Sequence, residues 1–250
     1  MGRKGPPKHL KRFASPAFWP IPKKAYTFTV RPLPGPHPIE DSIPLLIIIR
    51  DILKHCETYR EAKKIIKKGE ILVDGRIIRE EKFPVGLMDV VSIPSTGENY
   101  RVLPDPVKGL RLHPIEKEEA TFKLCRIENK TMVKGGNIQL NLHDGRNILI
   151  KVTNPAKPEE DVYDVLDVIK IGVPDQNIQA HIKFREGIQA LIIKGKNRGL
   201  YGRINKIEGP IQREYKTAII ESFNGNLVRA NITYVFAIGE NEQLISLPKW

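Results

Sequence analysis

Apolar positions follow a helical period near the start of the chain and a strand period after its middle. Leu45, Leu46, Ile48, Ile49, Ile52 and Leu53 form a broad apolar surface, which predicts a helix from near Ile43 to near His55. Asp41 and Ser42 stand where they could cap it, and Pro44 is tolerated in a first turn. A second helix is better marked. Thr58 and Glu61 have capping-box spacing, and Gly69 stands at the C-terminal stop. At about 100° per residue, Lys63, Lys64, Lys67 and Lys68 fall within about 80° of Arg60. Ala62, Ile65 and Ile66 gather on the opposite side, so one face is core and the other a basic ridge. Ile71–Val73, the Asp74-Gly75 turn and Arg76–Ile78 read as a hairpin, with a further strand over Val90–Ile93.

From Thr121 the period becomes two. Phe122, Leu124 and Ile127 precede Ile138, Leu140 and Leu142, which alternate with Asn137, Gln139 and Asn141. His143-Asp144-Gly145-Arg146 then turns into Ile148, Ile150 and Val152. The acids Glu159, Glu160, Asp161, Asp164 and Asp167 lack the spacing of a calcium loop. Strands are predicted over Gly187–Ile193, Ala218–Ile220, Leu227–Ala230 and Ile232–Ile238. The fold class is therefore α+β, multi-domain and mostly β. The expected division is a basic extension over 1–39, a small α/β module over 40–94, a central β-rich domain over 95–180 and a small β-barrel over 181–250.

Charge sharpens this picture. The net charge is +12, and residues 1–39 supply eight cations and no carboxylate: Arg3, Lys4, Lys8, Lys11, Arg12, Lys23, Lys24 and Arg31. Nine of the twenty prolines lie there too, so the stretch alone is expected to be extended and mobile. Phe13, Phe18, Trp19 and Tyr26 interleave the cations and offer planes on which bases could stack. The middle of the chain is near neutral, whereas residues 181–250 carry eleven bases and six acids. Such a distribution points to a polyanion, RNA before membrane. The longest apolar run, Ile43–Ile49, is interrupted by Pro44 and too short to span a bilayer. No apolar signal region opens the chain, and two distant cysteines, Cys56 and Cys125, suggest a reducing compartment such as the cytosol.

The candidate chemistry is recognition rather than catalysis. His143 beside Asp144 has no nucleophile in any motif, and Asp-Gly is ordinary turn chemistry. The six histidines are scattered and no Cys-x-x-Cys occurs, so no catalytic residue, metal site or cofactor is expected, nor a small-molecule substrate. Lys194-Gly195-Lys196-Asn197-Arg198-Gly199-Leu200-Tyr201-Gly202-Arg203 follows a strand with glycine spacing that suits neither a dinucleotide fingerprint nor a P-loop.

Two stretches resemble known RNA-binding modules, and their combination resembles one family. Thr58–Gly69 followed by Ile71-Leu72-Val73-Asp74-Gly75 resembles the RNA-binding module named after bacterial small-subunit ribosomal protein four. That resemblance implies phosphate contacts at Arg60, Lys63, Lys64, Lys67, Arg76 and Arg79. Lys194–Arg203 resembles the KOW motif of ribosomal proteins and elongation factors, implying contacts from Lys194, Lys196, Arg198 and Arg203. Both modules in this order, with Val85–Val90 and Leu140–Asn147, resemble the archaeal and eukaryotic small-subunit ribosomal protein family four-e over essentially the whole chain. Membership implies a structural, cytoplasmic constituent of the ribosome that binds small-subunit rRNA and neighbouring ribosomal proteins. The arm residues Arg3, Lys4, Lys8, Lys11, Arg12, Phe13, Trp19, Lys23 and Lys24 would join that contact. The alternatives are an RNA-modifying enzyme with an appended RNA-binding module, which would need a catalytic pair that residues 95–180 do not offer, and an elongation factor, which leaves the arm unexplained.

Overall fold

A computed structural model describes residues 8–154, 159–209, 216–222 and 225–248. Arg3 and Lys4 lie outside them. From Lys8 onward the arm is folded, which corrects the expectation of a mobile extension. Strand β1 (Leu10–Lys11) pairs antiparallel with β2 (Phe28–Thr29), closing a loop whose Trp19 is only 2% exposed. The Trp19 indole Nε1 donates to the Ser42 carbonyl at 2.8 Å. Trp19 and Ile21 join the core of the helical module, with Leu10, Phe18 and Val30 packed against it. The arm cannot build a core alone, but it contributes apolar groups to one already present.

Strand β3 (Ser42–Pro44) replaces the expected start of the first helix. The residue before a proline is driven to extended backbone, and the Ser42 hydroxyl donates to the Pro38 carbonyl at 2.8 Å instead of capping. Helix α1 (Leu45–Ile47) starts after Pro44 and continues as a π-helical stretch over Ile48–Ile52. Residues 45 to 49 are essentially inaccessible, so core packing holds this short irregular helix. Helix α2 (Tyr59–Lys68) has the expected capping box, with the Glu61 amide 3.3 Å from Thr58 Oγ1, and ends on Gly69 at φ 82°.

Strands β4 (Leu72–Val73) and β5 (Arg76–Ile77) form the hairpin around Asp74 and Gly75, both at positive φ. Next, β6 (Pro84–Gly86) pairs with β3, and β7 (Val90–Ile93) pairs with β4. Strands β8 (Glu98–Asp105) and β9 (Gly109–Pro114) extend that sheet in the order β5-β4-β7-β8-β9. The sheet runs across residue 94, so the expected boundary there falls inside one hydrogen-bonded unit.

The central sheet has the order β12-β11-β10-β13-β14, from β10 (Phe122–Met132), β11 (Ile138–Leu142), β12 (Asn147–Ile150), β13 (Val168–Gly172) and β14 (Ile178–Ile182). The C-terminal sheet has the order β18-β17-β16-β15-β19, from β15 (Gln189–Ile192), β16 (Tyr201–Glu208), β17 (Thr217–Ser222), β18 (Leu227–Asn231) and β19 (Val235–Gly239). Met88 and Leu103 from the first unit share a core with Leu124 and Val168 of the second and Ile192 and Phe236 of the third. The segments are packed into each other.

Candidate nucleic-acid interface

Helix α2 presents its cations as its periodicity requires. Ala62 and Ile66 are fully buried, while Arg60, Lys64, Lys67 and Lys68 are exposed. Thr58 and Gly69 fix both ends, so the ridge rests on a short helix with satisfied termini. Arg79 joins it, with its Nε 3.5 Å from the position a Cβ on Gly69 would take. Lys63 is half withdrawn, bound at 2.9 Å to the buried carboxylate of Glu81, which also accepts from Tyr59 Oη at 3.1 Å. Hydrogen bonding and charge from Glu81 raise the Lys63 ammonium above its ordinary value, so it stays cationic. Arg76 is exposed but lines a different cavity, together with Asp74, Asp144 and Arg146.

Three arm residues expected at RNA hold protein instead. Arg12, 5% exposed, donates from Nη1 to the Pro22 carbonyl at 2.5 Å and from Nε to the Phe28 carbonyl at 3.2 Å. Lys23 Nζ donates to the carbonyls of Arg12, Ser15 and Pro16 and to Ser15 Oγ, between 2.7 and 3.2 Å. Trp19 is core. A cation surrounded by carbonyl oxygens reads in sequence like any other cation, because its acceptors come from the folded loop. Lys8, Lys11, Phe13 and Lys24 remain exposed.

The glycine-rich loop also differs from expectation. Its backbone approaches this chain's own β8–β9 turn: a Cβ on Gly199, at φ 86°, would stand 2.7 Å from Pro106 Cδ. Gly202 is needed for strand contact, since a Cβ there would meet the Glu221 carbonyl at 2.0 Å. Arg198 Nε donates to the Asp105 carbonyl at 3.1 Å, Arg203 Nε to the Gly187 carbonyl at 2.7 Å, and Lys194 pairs with Asp41 at 2.7 Å. Lys196 stands exposed at the tip.

Beneath these surfaces lies a charged knot that sequence reasoning missed. Lys123, 1% exposed along its side chain, contacts Asp74 at 2.9 Å, Asp144 at 2.9 Å and Asp89. Arg146 reaches Asp74 at 2.5 Å and Asp144 at 3.2 Å, and His37 Nε2 lies 3.1 Å from Asp89. The knot joins the arm, the helical module and the central domain. Burial opposes the Lys123 ammonium, but its three carboxylates raise it well above the usual lysine value. Burial likewise works against Asp144, yet Lys123, His143 and Arg146 bring it down to about 2. Lys123 and His37 hold Asp89 well below the usual carboxylate range against the same opposition. Asp74 is the carboxylate pushed upward, because its burial, reinforced by Asp89, outweighs Lys123 and Arg146.

Cys125, His143 and Asp144 gather close enough to suggest a metal site. Their donor atoms are already used. His143 Nδ1 accepts from the Arg126 amide at 3.2 Å and Nε2 faces the Leu87 carbonyl at 3.3 Å. Lys123 and Arg146 neutralise Asp144, while burial, with Asp144 next, pushes the Cys125 thiol well up and keeps it protonated. Among the described residues no helix is long and apolar enough to cross a membrane.

A buried scaffold carrying a basic helix face and a cationic arm defines a nucleic-acid-binding protein of the S4-domain type. An S4 domain matches residues 44–91, the RS4NT (NUC023) domain residues 4–40, and the ribosomal family S4e residues 96–178. Small ribosomal subunit protein eS4 of Staphylothermus marinus is 53% identical over 249 residues, covering 100% of this chain and 99% of that one. The protein of that name from Methanocaldococcus jannaschii is 52% identical, covering 99% and 100%. The crystal structure of 30S ribosomal protein S4e from Thermoplasma acidophilum superposes with a TM-score of 0.66 at 36% identity, covering 80% of this chain and 96% of that one. The chain belongs to the S4e family of ribosomal proteins.

Proposed function

We propose that this protein is a structural constituent of the small ribosomal subunit that binds rRNA and supports assembly and translation. The observation that carries the reading is the exposed ridge of Arg60, Lys64 and Lys67 on a helix whose opposite face is fully buried. Family membership supports it, and favours neither an RNA-modifying enzyme nor an elongation factor. Phosphate contacts are assigned to that ridge with Arg79, and to Lys8, Lys11 and Lys24 of the arm. Phe13, 77% exposed, adds a stacking plane. The glycine-rich loop and five-stranded C-terminal sheet suit a KOW-type barrel, with Lys196 as its outward cation. The site of action is the cytoplasmic ribosome, with neighbouring ribosomal proteins as further partners, and no catalytic role is assigned.

Sedimentation tests this reading. The protein is expected to travel with the small subunit through a gradient at a salt concentration that strips nonspecific binders. Recovery wholly at the top of the gradient would exclude a structural role.

A further inference from the structure

The folded arm creates a groove that neither the arm nor the helical module possesses alone. It holds about 280 Å³ and is lined by Lys8 and Arg31 from the arm, Arg50 from the π-helical stretch, Tyr59 at the start of α2, and Lys82. Two backbone contacts keep its walls together: the β1–β2 pairing, and the Leu33 amide donating to the Lys82 carbonyl at 3.0 Å. Arg12 also lines it but is held by the carbonyls of Pro22 and Phe28. No carboxylate is among the lining residues, although Arg50 is paired at 2.8 Å with Asp51. By contrast, the cavity where the arm meets the C-terminal sheet sets Glu40, Asp41 and Glu128 among its cations. One sign of charge facing a concave surface focuses the field on an anion.

Two further features fit a nucleotide. Phe28 is 52% exposed at the groove wall, with the His9 ring tilted against it at 5.4 Å between centroids. An aromatic face held by a strand and backed by a second ring costs little to order when a base stacks on it. Thr29 Oγ1, next along β2, is buried without a hydrogen-bond partner among the described residues. We propose that this groove is a binding site for a single-stranded segment of RNA, with a phosphate among Lys8, Arg31 and Lys82 and an unpaired base against Phe28. The proposal rests on the RNA-binding reading above and builds its Lys8 contact into a single-strand site apart from the α2 ridge. A duplex would satisfy the cations but hides its bases, so the aromatic wall selects the single strand.

The test uses the full chain, a fluorescent twelve-nucleotide oligouridine and a blunt RNA duplex of equal length, with anisotropy read across a salt series. Phe28→Ala is expected to weaken the single strand about tenfold while leaving the duplex unchanged. Phe28→Leu keeps apolar bulk without the stacking face and should behave alike, which separates stacking from packing. Arg31→Glu with Lys82→Glu should lower the single-strand salt slope by about 0.7, the contribution of the one phosphate contact held there. Equal loss for both probes, or no loss with either Phe28 variant, overturns the proposal. If Lys64→Glu with Lys67→Glu removes duplex binding while the groove variants bind normally, the groove fails and the ridge stands. If the ridge variant binds normally and the groove variants do not, the groove stands and the ridge fails.

Discussion

Replacing Lys123 with methionine is expected to destabilise the protein by about 3–5 kcal/mol, the usual cost of removing one partner from a buried ionic cluster. The substitution keeps most of the side-chain volume, so the effect is electrostatic. It leaves Asp74, Asp89 and Asp144 buried with only Arg146 and His37 as side-chain ionic partners, beside the amides of Gly86 and Val90. Urea unfolding followed by far-ultraviolet circular dichroism measures the change, and a loss below about 1 kcal/mol would show that the cluster is not an energetic keystone. Lys123→Met combined with Asp89→Asn should recover part of the loss, because Asp74 and Asp144 keep Arg146 while the carboxylate that relied on Lys123 for its cation is gone.

The same cluster sets a direction for pH. Asp144 is depressed from 3.8 to about 2, so its contribution is complete above about 3.8 and disappears as pH falls towards 2. Burial lowers His143 from 6.5 to about 4, so its neutral form favours the fold above about 6.5, and acidification to about 4 removes that advantage. Asp74, raised by burial, works in the opposite sense and gains a proton more readily than its neighbours. Stability should fall on acidification first between about pH 6.5 and 4, then again between about 4 and 2. His143→Phe should shrink the first step and leave the second, with His113, also lowered by burial, supplying what remains of the first, and an unchanged first step would refute the assignment.

Lys64→Glu together with Lys67→Glu is expected to weaken RNA binding about tenfold to a hundredfold and to lower the duplex salt slope by about 2, at roughly 0.9 per phosphate contact. Both residues are exposed, and neither Ala62 nor Ile66 loses a contact, so the unfolding free energy should stay within about 0.5 kcal/mol of the parent. Lys63 is a poor choice for the same experiment, because its bond to Glu81 couples charge removal to packing. Binding by a folded double variant at parental affinity would move the interface elsewhere.

Helix α2 was legible in advance because its information is local: a capping box three residues apart, a glycine stop and lysines at helical spacing. The β4–β5 hairpin was legible for the same reason, since Asp74-Gly75 carries the turn. Lys123 was not. Its strand alternates in sequence, yet Phe122 to Ile127 are buried on both faces, and Lys123 meets Asp89 and Asp74 across 34 and 49 residues of chain. Strands β8 and β9 escaped notice although Val102 and Leu103 are both buried. Composition does not reveal the arm's order, because Trp19 is held by a core that belongs to other residues. The basic ridge could be read from periodicity; the groove beside it could not, because its walls meet only in the fold.

The central claim is that the α2 ridge faces rRNA within the small subunit. The most direct measurement places a photo-crosslinking amino acid at position 64, assembles the protein into small subunits and analyses the adducts after irradiation. A covalent adduct to rRNA is the expected result, with none from a probe at the buried position 66 where that variant assembles. Normal assembly with adducts from position 64 only to protein, or with none, would contradict the account.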